Sequence, residues 1–213
     1  FLLGLCCATL LLITSCRESV NSGLEDTLNL SRGLDPIPEA QRSVMTVNRG
    51  SDLIADGYLK IEVENIEANA LIESGAYEAW CLEWNKPIRQ NNDVHQGVEF
   101  FNTFGSDTWK APNYLISIKD DLKAEDPELT YKEIQVALWS VIKEPAFNID
   151  QVLQDGRMPS RMMTNGQPNF DVDKAKQIAE RVRNEVSEFE YKPGSPVLVF
   201  AKTSSDQQNG GAI

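Results

Sequence analysis

Positive charge is scarce in this chain, and so are histidine and cysteine. Lys and Arg number 20 against 32 Asp and Glu, for a formal charge of -12. So acidic a surface argues against nucleic acid as a partner and against electrostatic attraction to anionic lipid. It describes a soluble, self-repelling exterior and names no ligand. The one histidine, His95, lies in Asn92-Asp93-Val94-His95-Gln96 and reads as a surface-loop residue. Asp120-Asp121 and Glu125-Asp126 lack the spacing and turn glycine of a calcium loop, so a solvated acidic turn is expected and no metal or cofactor is assigned. Internal repeats and low-complexity blocks are absent. Of four cysteines, three (Cys6, Cys7 and Cys16) fall at the start of the chain, which leaves Cys81 alone in the rest.

The start of the chain explains that distribution. Phe1 to Ser15 carries no charge and has the length of a signal-peptide core, short of the ~20 residues of a membrane span. No initiator Met or basic segment precedes it, so a few N-terminal residues are expected to be missing. Ile13-Thr14-Ser15-Cys16 resembles the bacterial lipoprotein signal, in which the cysteine is acylated and becomes the new N-terminus. The expected layout is therefore a leader over 1–15 that removes Cys6 and Cys7, with a lipid anchor on Cys16. An uncleaved N-terminal helix is the alternative.

About 200 remaining residues suit one domain with at most a small subdomain. Residues 16–50 mix Ser, Asn, Asp, Glu, Gly and Pro with single aliphatics and show neither period, so they read as a flexible tether. From Asp52 the texture changes. Leu59, Ile61 and Val63 alternate with Lys60, Glu62 and Glu64, as in a strand with one buried face. Tyr77 to Trp84 is a second strand candidate, whose alternation sets Tyr77, Ala79, Cys81 and Glu83 on one face and Trp80, Leu82 and Trp84 on the other.

Helices dominate the middle. Pro112 to Leu122 predicts a short one, and Thr130 with Glu133 has capping-box spacing for another from Tyr131 to about Lys143. Its apolar face carries Tyr131, Ile134, Leu138, Val141 and Ile142, and Gln135 belongs to that face. A short helix over Asn148 to Gln154, a loop from Gly156 to Gln167 and a long amphipathic helix from Asp171 to Phe189 follow. Pro196 to Ala201 reads as a buried strand. Residues 205–213 read as a polar tail.

A lone thiol on a strand and an amide on an apolar helix face make one unusual chemical pair. A thiolate can attack a side-chain amide held against it, expelling ammonia and leaving a Cys-Gln thioester. An amide buried without partners costs ~1–3 kcal/mol, so Gln135 must find partners, reach solvent or react.

Tyr77-Glu78-Ala79-Trp80-Cys81-Leu82-Glu83-Trp84-Asn85-Lys86-Pro87 resembles the cysteine segment of bacterial thioester domains, where an aromatic precedes the Cys and a Pro follows. Ile134-Gln135-Val136-Ala137-Leu138-Trp139 is similar to that family's glutamine segment, and Asn113-Tyr114-Leu115-Ile116 fits the helical stretch before it. The resemblance covers roughly Asp52 to Lys202 and implies a thioester-like domain over 51–204. It implies an α+β fold: a β-rich core, sandwich or barrel, with a helical subdomain. It also implies a cross-link between Cys81 and Gln135, with Trp80, Trp84 and Trp139 as candidate shields against water. The implied function is adhesion, in which an amine of a surface protein or glycan opens the bond once per molecule, so turnover catalysis is not expected.

The chain departs from the family's best-known, wall-anchored members. Its lipid anchor and short tether imply a place on the bacterial cell envelope, exposed at the surface and reaching a nearby target. Glu83 also stands where Asp or Asn is common. Two other readings stay open: a non-covalent binding lipoprotein with an inert buried Cys81, and a hydrolase pairing Cys81 with His95, for which no third residue or signature is present.

Overall fold

The computed structural model describes residues 30–50, 57–143, 145–192, 194, 196–203 and the backbone of 210–212. The leader, Cys16 and the first part of the tether lie outside the described residues. The chain forms a closed antiparallel barrel with helices packed on it, which makes the fold α+β and selects barrel over sandwich. The barrel strands are β1 (Asp35–Arg49), β2 (Leu59–Glu64), β3 (Gly75–Cys81), β4 (Asn91–Asn102), β7 (Val199–Lys202) and β8 (Gly210–Ala212). They close in the order β1-β2-β3-β8-β7-β4. Between them come α1 (Lys110–Glu125), α2 (Tyr131–Val141), α3 (Ile149–Gln154), a two-stranded ribbon of β5 (Met163–Thr164) and β6 (Gln167–Pro168), and α4 (Val172–Glu185).

Strand β2 follows its pattern, with Leu59, Ile61 and Val63 buried and the charged residues between them exposed. Two expectations need correction. The later part of the expected tether is β1, a 15-residue strand paired with β2 and β4. Its buried residues are Ile37, Ala40, Ser43, Met45 and Val47, spaced three, three, two and two, because bulges interrupt the register and Arg42 sits at φ 70°. A bulge adds a residue to one strand and breaks the two-residue period. Gln41 fills the break, donating from Nε2 to the carbonyls of Ile37 (2.7 Å) and Phe100 (2.9 Å). The expected polar tail is corrected likewise, since the backbone of Gly210–Ala212 is β8 and inserts between β3 and β7.

His95 is corrected too. It is buried in β4, whose inward residues His95, Val98 and Phe100 are again spaced three and two, around Gly97 at φ 67°.

The helical layer is built around α2. The capping box forms as expected: the Glu133 carboxylate accepts from the Thr130 N–H at 2.9 Å, and Thr130 Oγ1 accepts from the Lys132 N–H at 3.2 Å. The other Glu133 oxygen accepts from the Asp171 N–H at 2.8 Å, so one carboxylate joins the starts of α2 and α4. Packed by α1 and α4, α2 is buried nearly all round rather than on one face. Helix α1 is longer than expected, with Pro112 tolerated in its first turn. Two buried polar residues fasten α1. Asn113 accepts from the Leu198 N–H (2.8 Å) and donates to Thr103 Oγ1 (3.0 Å) and the Tyr191 hydroxyl (3.2 Å). Lys119, 7% exposed, binds Glu78 on β3 at 3.0 Å and Asp120 at 2.9 Å. Burial alone would lower the pKa of its ammonium, but the Asp120 and Glu78 carboxylates outweigh burial and raise it. Helix α4 ends at Glu185 in a single 3₁₀ turn, so Val186 and Phe189 fall outside its buried face.

Candidate functional site

Strand β3 delivers Cys81 at its last residue, and α2 delivers Gln135 in its second turn. Both are buried, Cys81 at 2% exposure and Gln135 at 0%. The Gln135 side chain lies against the Cys81 peptide like a short extra strand. Its Oε1 accepts from the Cys81 N–H at 2.9 Å, and its Nε2 donates to the Cys81 carbonyl at 2.8 Å. Both polar groups of the amide are thus satisfied, and the amide plane is fixed relative to the residue that carries the thiol. On its other edge Cys81 pairs with Gly210 of β8, so its backbone is held from two directions.

Cys81 lines a cavity of about 300 Å³ that opens to solvent beside Trp84, Lys86, Trp139, Tyr58 and Arg161. Trp84 and Trp139 both line this cavity with Cys81. Trp84 departs from the expected parity because β3 stops at Cys81 and the chain turns, so strand alternation does not reach residue 84. Trp80, inside the strand, keeps the opposite parity from Cys81 and is not part of the cavity wall. His95 is not on that wall either, and its strand β4 pairs with β1 and β7 rather than β3.

The aromatic residues of the wall, Tyr58, Trp84 and Trp139, belong to a longer chain of ring contacts. Tyr131 meets Tyr58 at 6.1 Å, Tyr58 meets Trp139 at 6.0 Å, and Phe147 joins Trp139 to Trp84 at 5.5 Å on each side. Edge-on and tilted contacts of this kind are favourable and rigid. Gly57 lets the chain approach β3 just before Tyr58, for a Cβ there would meet Glu78 Cβ at 3.0 Å and the Ala79 backbone at 3.1 Å.

Arg161 closes the far side. Its guanidinium lies 4.2 Å over the Tyr58 ring and 5.0 Å over Tyr131, and it donates to the Tyr58 carbonyl, the Gly50 carbonyl and Gln90. No periodicity marks Arg161, in a single 3₁₀ turn over Ser160–Met162, or Phe147, in the connection between α2 and α3. Tyr58 could have been found from β2, since it directly precedes that strand.

Burial, and then the nearby Cys81, push the Tyr58 phenol well above its ordinary pKa, against the pull of Arg161. Burial and the Glu185 carboxylate likewise push Tyr114 up to about 12. Unfolded tyrosine ionises near ~10. The neutral phenols therefore contribute fully below that pH, and their contribution is lost as pH rises from ~10 through the raised folded values. Alkaline titration should show some phenolate absorbance appearing only in step with the loss of circular dichroism, and Tyr58→Phe should shrink that late step. If every phenol ionises before unfolding begins, the prediction fails.

No family model matches the chain, and no curated protein matches it. Among solved structures, it is similar to the N-terminal domain of the Streptococcus pyogenes pilus tip adhesin Cpa, with TM-score 0.49 and 9% identity over 84% of this chain and 95% of that one. It is also similar to the N-terminal thioester domain of a surface protein from Clostridium perfringens, with TM-score 0.39 and 18% identity over 79% and 97%. By name, one neighbour is a domain of a pilus tip adhesin and the other a thioester domain of a surface protein.

Proposed function

We propose that Cys81 and Gln135 form an internal thioester through which this chain captures amine-bearing ligands covalently, as an adhesion protein of the bacterial cell envelope. The observation that carries this is the two-point hold of the Gln135 amide on the Cys81 peptide. When Cys81 Sγ attacks Gln135 Cδ, negative charge develops on Oε1, where the Cys81 N–H already donates. A fixed donor aimed at developing charge is the electrostatic device that lowers acyl-transfer barriers most. The C–N bond then breaks, the thiol proton leaves with the nitrogen, and ammonia departs. Capture runs the same path in reverse with a new amine. Entering where Nε2 lay, it donates to the Cys81 carbonyl, attacks Cδ and returns a proton to the sulfur. The products are a substituted amide at Gln135 and a free Cys81 thiol, so each molecule acts once.

Water competes with the amine, and the aromatic residues around Cys81 limit its access while the cavity opens to solvent on the side from which an amine would enter. The ligand class is an amine-bearing surface protein or glycan. The Ile13-Thr14-Ser15-Cys16 signal supports a lipid anchor on Cys16 and thus a target close to the membrane.

The second reading, a non-covalent binding protein with an inert Cys81, is favoured by the same two hydrogen bonds, since they satisfy a buried amide without any reaction. Intact mass of the mature chain carrying Cys16→Ser decides between them. The thioester requires a mass short by one ammonia and a methylamine adduct at Gln135, both abolished by Cys81→Ala or Gln135→Ala. Full mass with Cys81 freely titratable after unfolding establishes the inert reading instead.

A further inference from the structure

Lys86 is the one primary amine on the cavity wall among the described residues, and it shares that wall with Cys81. Its Nζ is shielded from solvent and lies 2.6 Å from Oε1 of Glu83, whose side chain is 0% exposed. The two groups meet off the hydrogen-bonding axis, so the contact is that of an ion pair. An amine built into the same cavity as a thioester is a hazard to it. Intramolecular nucleophiles act at effective concentrations far above any ligand's, and a neutral Lys86 would win against ligands in solution. An ammonium has no lone pair with which to attack.

We propose that Glu83 is a positioning residue that holds Lys86 as a non-nucleophilic ammonium, and that this pair preserves the Cys81–Gln135 thioester for external amines. The proposal rests on the thioester reading above. It gives a role to Glu83 and Lys86, which the capture chemistry itself does not use. Without the Glu83 carboxylate, the shielded Lys86 Nζ loses the counter-charge 2.6 Å away, and an amine kept from water without a counter-charge favours its neutral form. The neutral amine then attacks Gln135 Cδ, the Cδ–Sγ bond breaks, and one proton of the attacking nitrogen passes to the Cys81 thiolate. The result is a Lys86–Gln135 amide and a free thiol, with no co-reactant. This product has the same mass as the thioester, so thiol content and methylamine reactivity are the discriminating readouts.

The experiment uses the mature Cys16→Ser chain with Glu83→Gln, Lys86→Arg and the double variant, read by methylamine adduct, thiol titration after unfolding, and peptide mapping. The parent chain should give the adduct and a blocked thiol. Glu83→Gln should lose the adduct by an order of magnitude or more, expose one thiol and yield a Lys86–Gln135 cross-linked peptide. Glu83→Gln with Lys86→Arg should recover the adduct, which a merely structural role for Glu83 does not allow. Undiminished adduct with no cross-linked peptide in Glu83→Gln overturns the proposal, as does failure of the double variant to recover it. Should Glu83→Gln not fold, the parent and Lys86→Arg are compared at neutral pH and well above the ordinary lysine pKa of ~10.4 instead. A cross-link confined to the parent and to the alkaline sample supports the proposal; one already formed at neutral pH, or none at either pH, overturns it. A parent with full mass and a free thiol overturns the thioester reading itself, which separates the two failures.

Discussion

Opening the proposed Cys81–Gln135 thioester with methylamine should lower the melting temperature by roughly 8–16 °C. That bond would join residues 54 apart in sequence. A cross-link closing a loop of that size removes denatured-state entropy worth about 4 kcal/mol by the chain-entropy relation used for disulfides. In domains of this size each kcal/mol moves the melting temperature by ~2–4 °C. Fluorescence-monitored melts of untreated and methylamine-treated chains, with adduct formation verified by mass, give the comparison. The methyl group added to the Gln135 amide is small, so lost contacts contribute little. Complete adduct with an unmoved transition would mean that the bond constrains nothing, which the barrel-to-helix span of the loop does not permit.

The second large effect separates the two partners. Cys81→Ala and Gln135→Ala both abolish the cross-link, yet Gln135→Ala should be less stable by about 2–6 kcal/mol. Cys81→Ala keeps the main chain of residue 81, and therefore both hydrogen bonds from the Gln135 amide. Gln135→Ala leaves that N–H and carbonyl buried and unpaired by the side chain, at ~1–3 kcal/mol for each. Against a typical total of ~5–15 kcal/mol, this threatens folding itself. Urea unfolding of the two variants measures the difference. Equal stabilities would show that the amide contributes only through its carbon.

The two site residues were legible in the sequence because each broke a local rule: a thiol without a partner and an amide on an apolar face. The capping box and the alternation of β2 were legible because they are short-range signals read within one element. The strands β1 and β4 were not, because bulges at Arg42 and Gly97 change the spacing of their inward residues partway along. Once the period breaks, Ile37, Ala40 and Ser43 look like scattered residues of a linker. The short strand β8 gives no pattern at all, since its Gly-Gly start offers no side chains to alternate. Trp84 fell on the wrong side for a related reason, as alternation was extended past the residue where the strand ends. Arg161 and Phe147 depend on contacts made across the fold and leave no local trace.

The place of β8 has a consequence in time. Strand β3 carries Cys81, but one neighbour of that strand is made from residues 210–212, more than a hundred positions downstream. Chains emerge from their N-terminus, and domains complete only when their closing elements arrive. Until then the edge of β3 beside Cys81 stays open, and the barrel has a gap where Gly210 will pair. The Cys81–Gln135 site is therefore among the last parts of the domain to be completed, so the proposed bond gains its full surroundings only once residues 210–212 have been made.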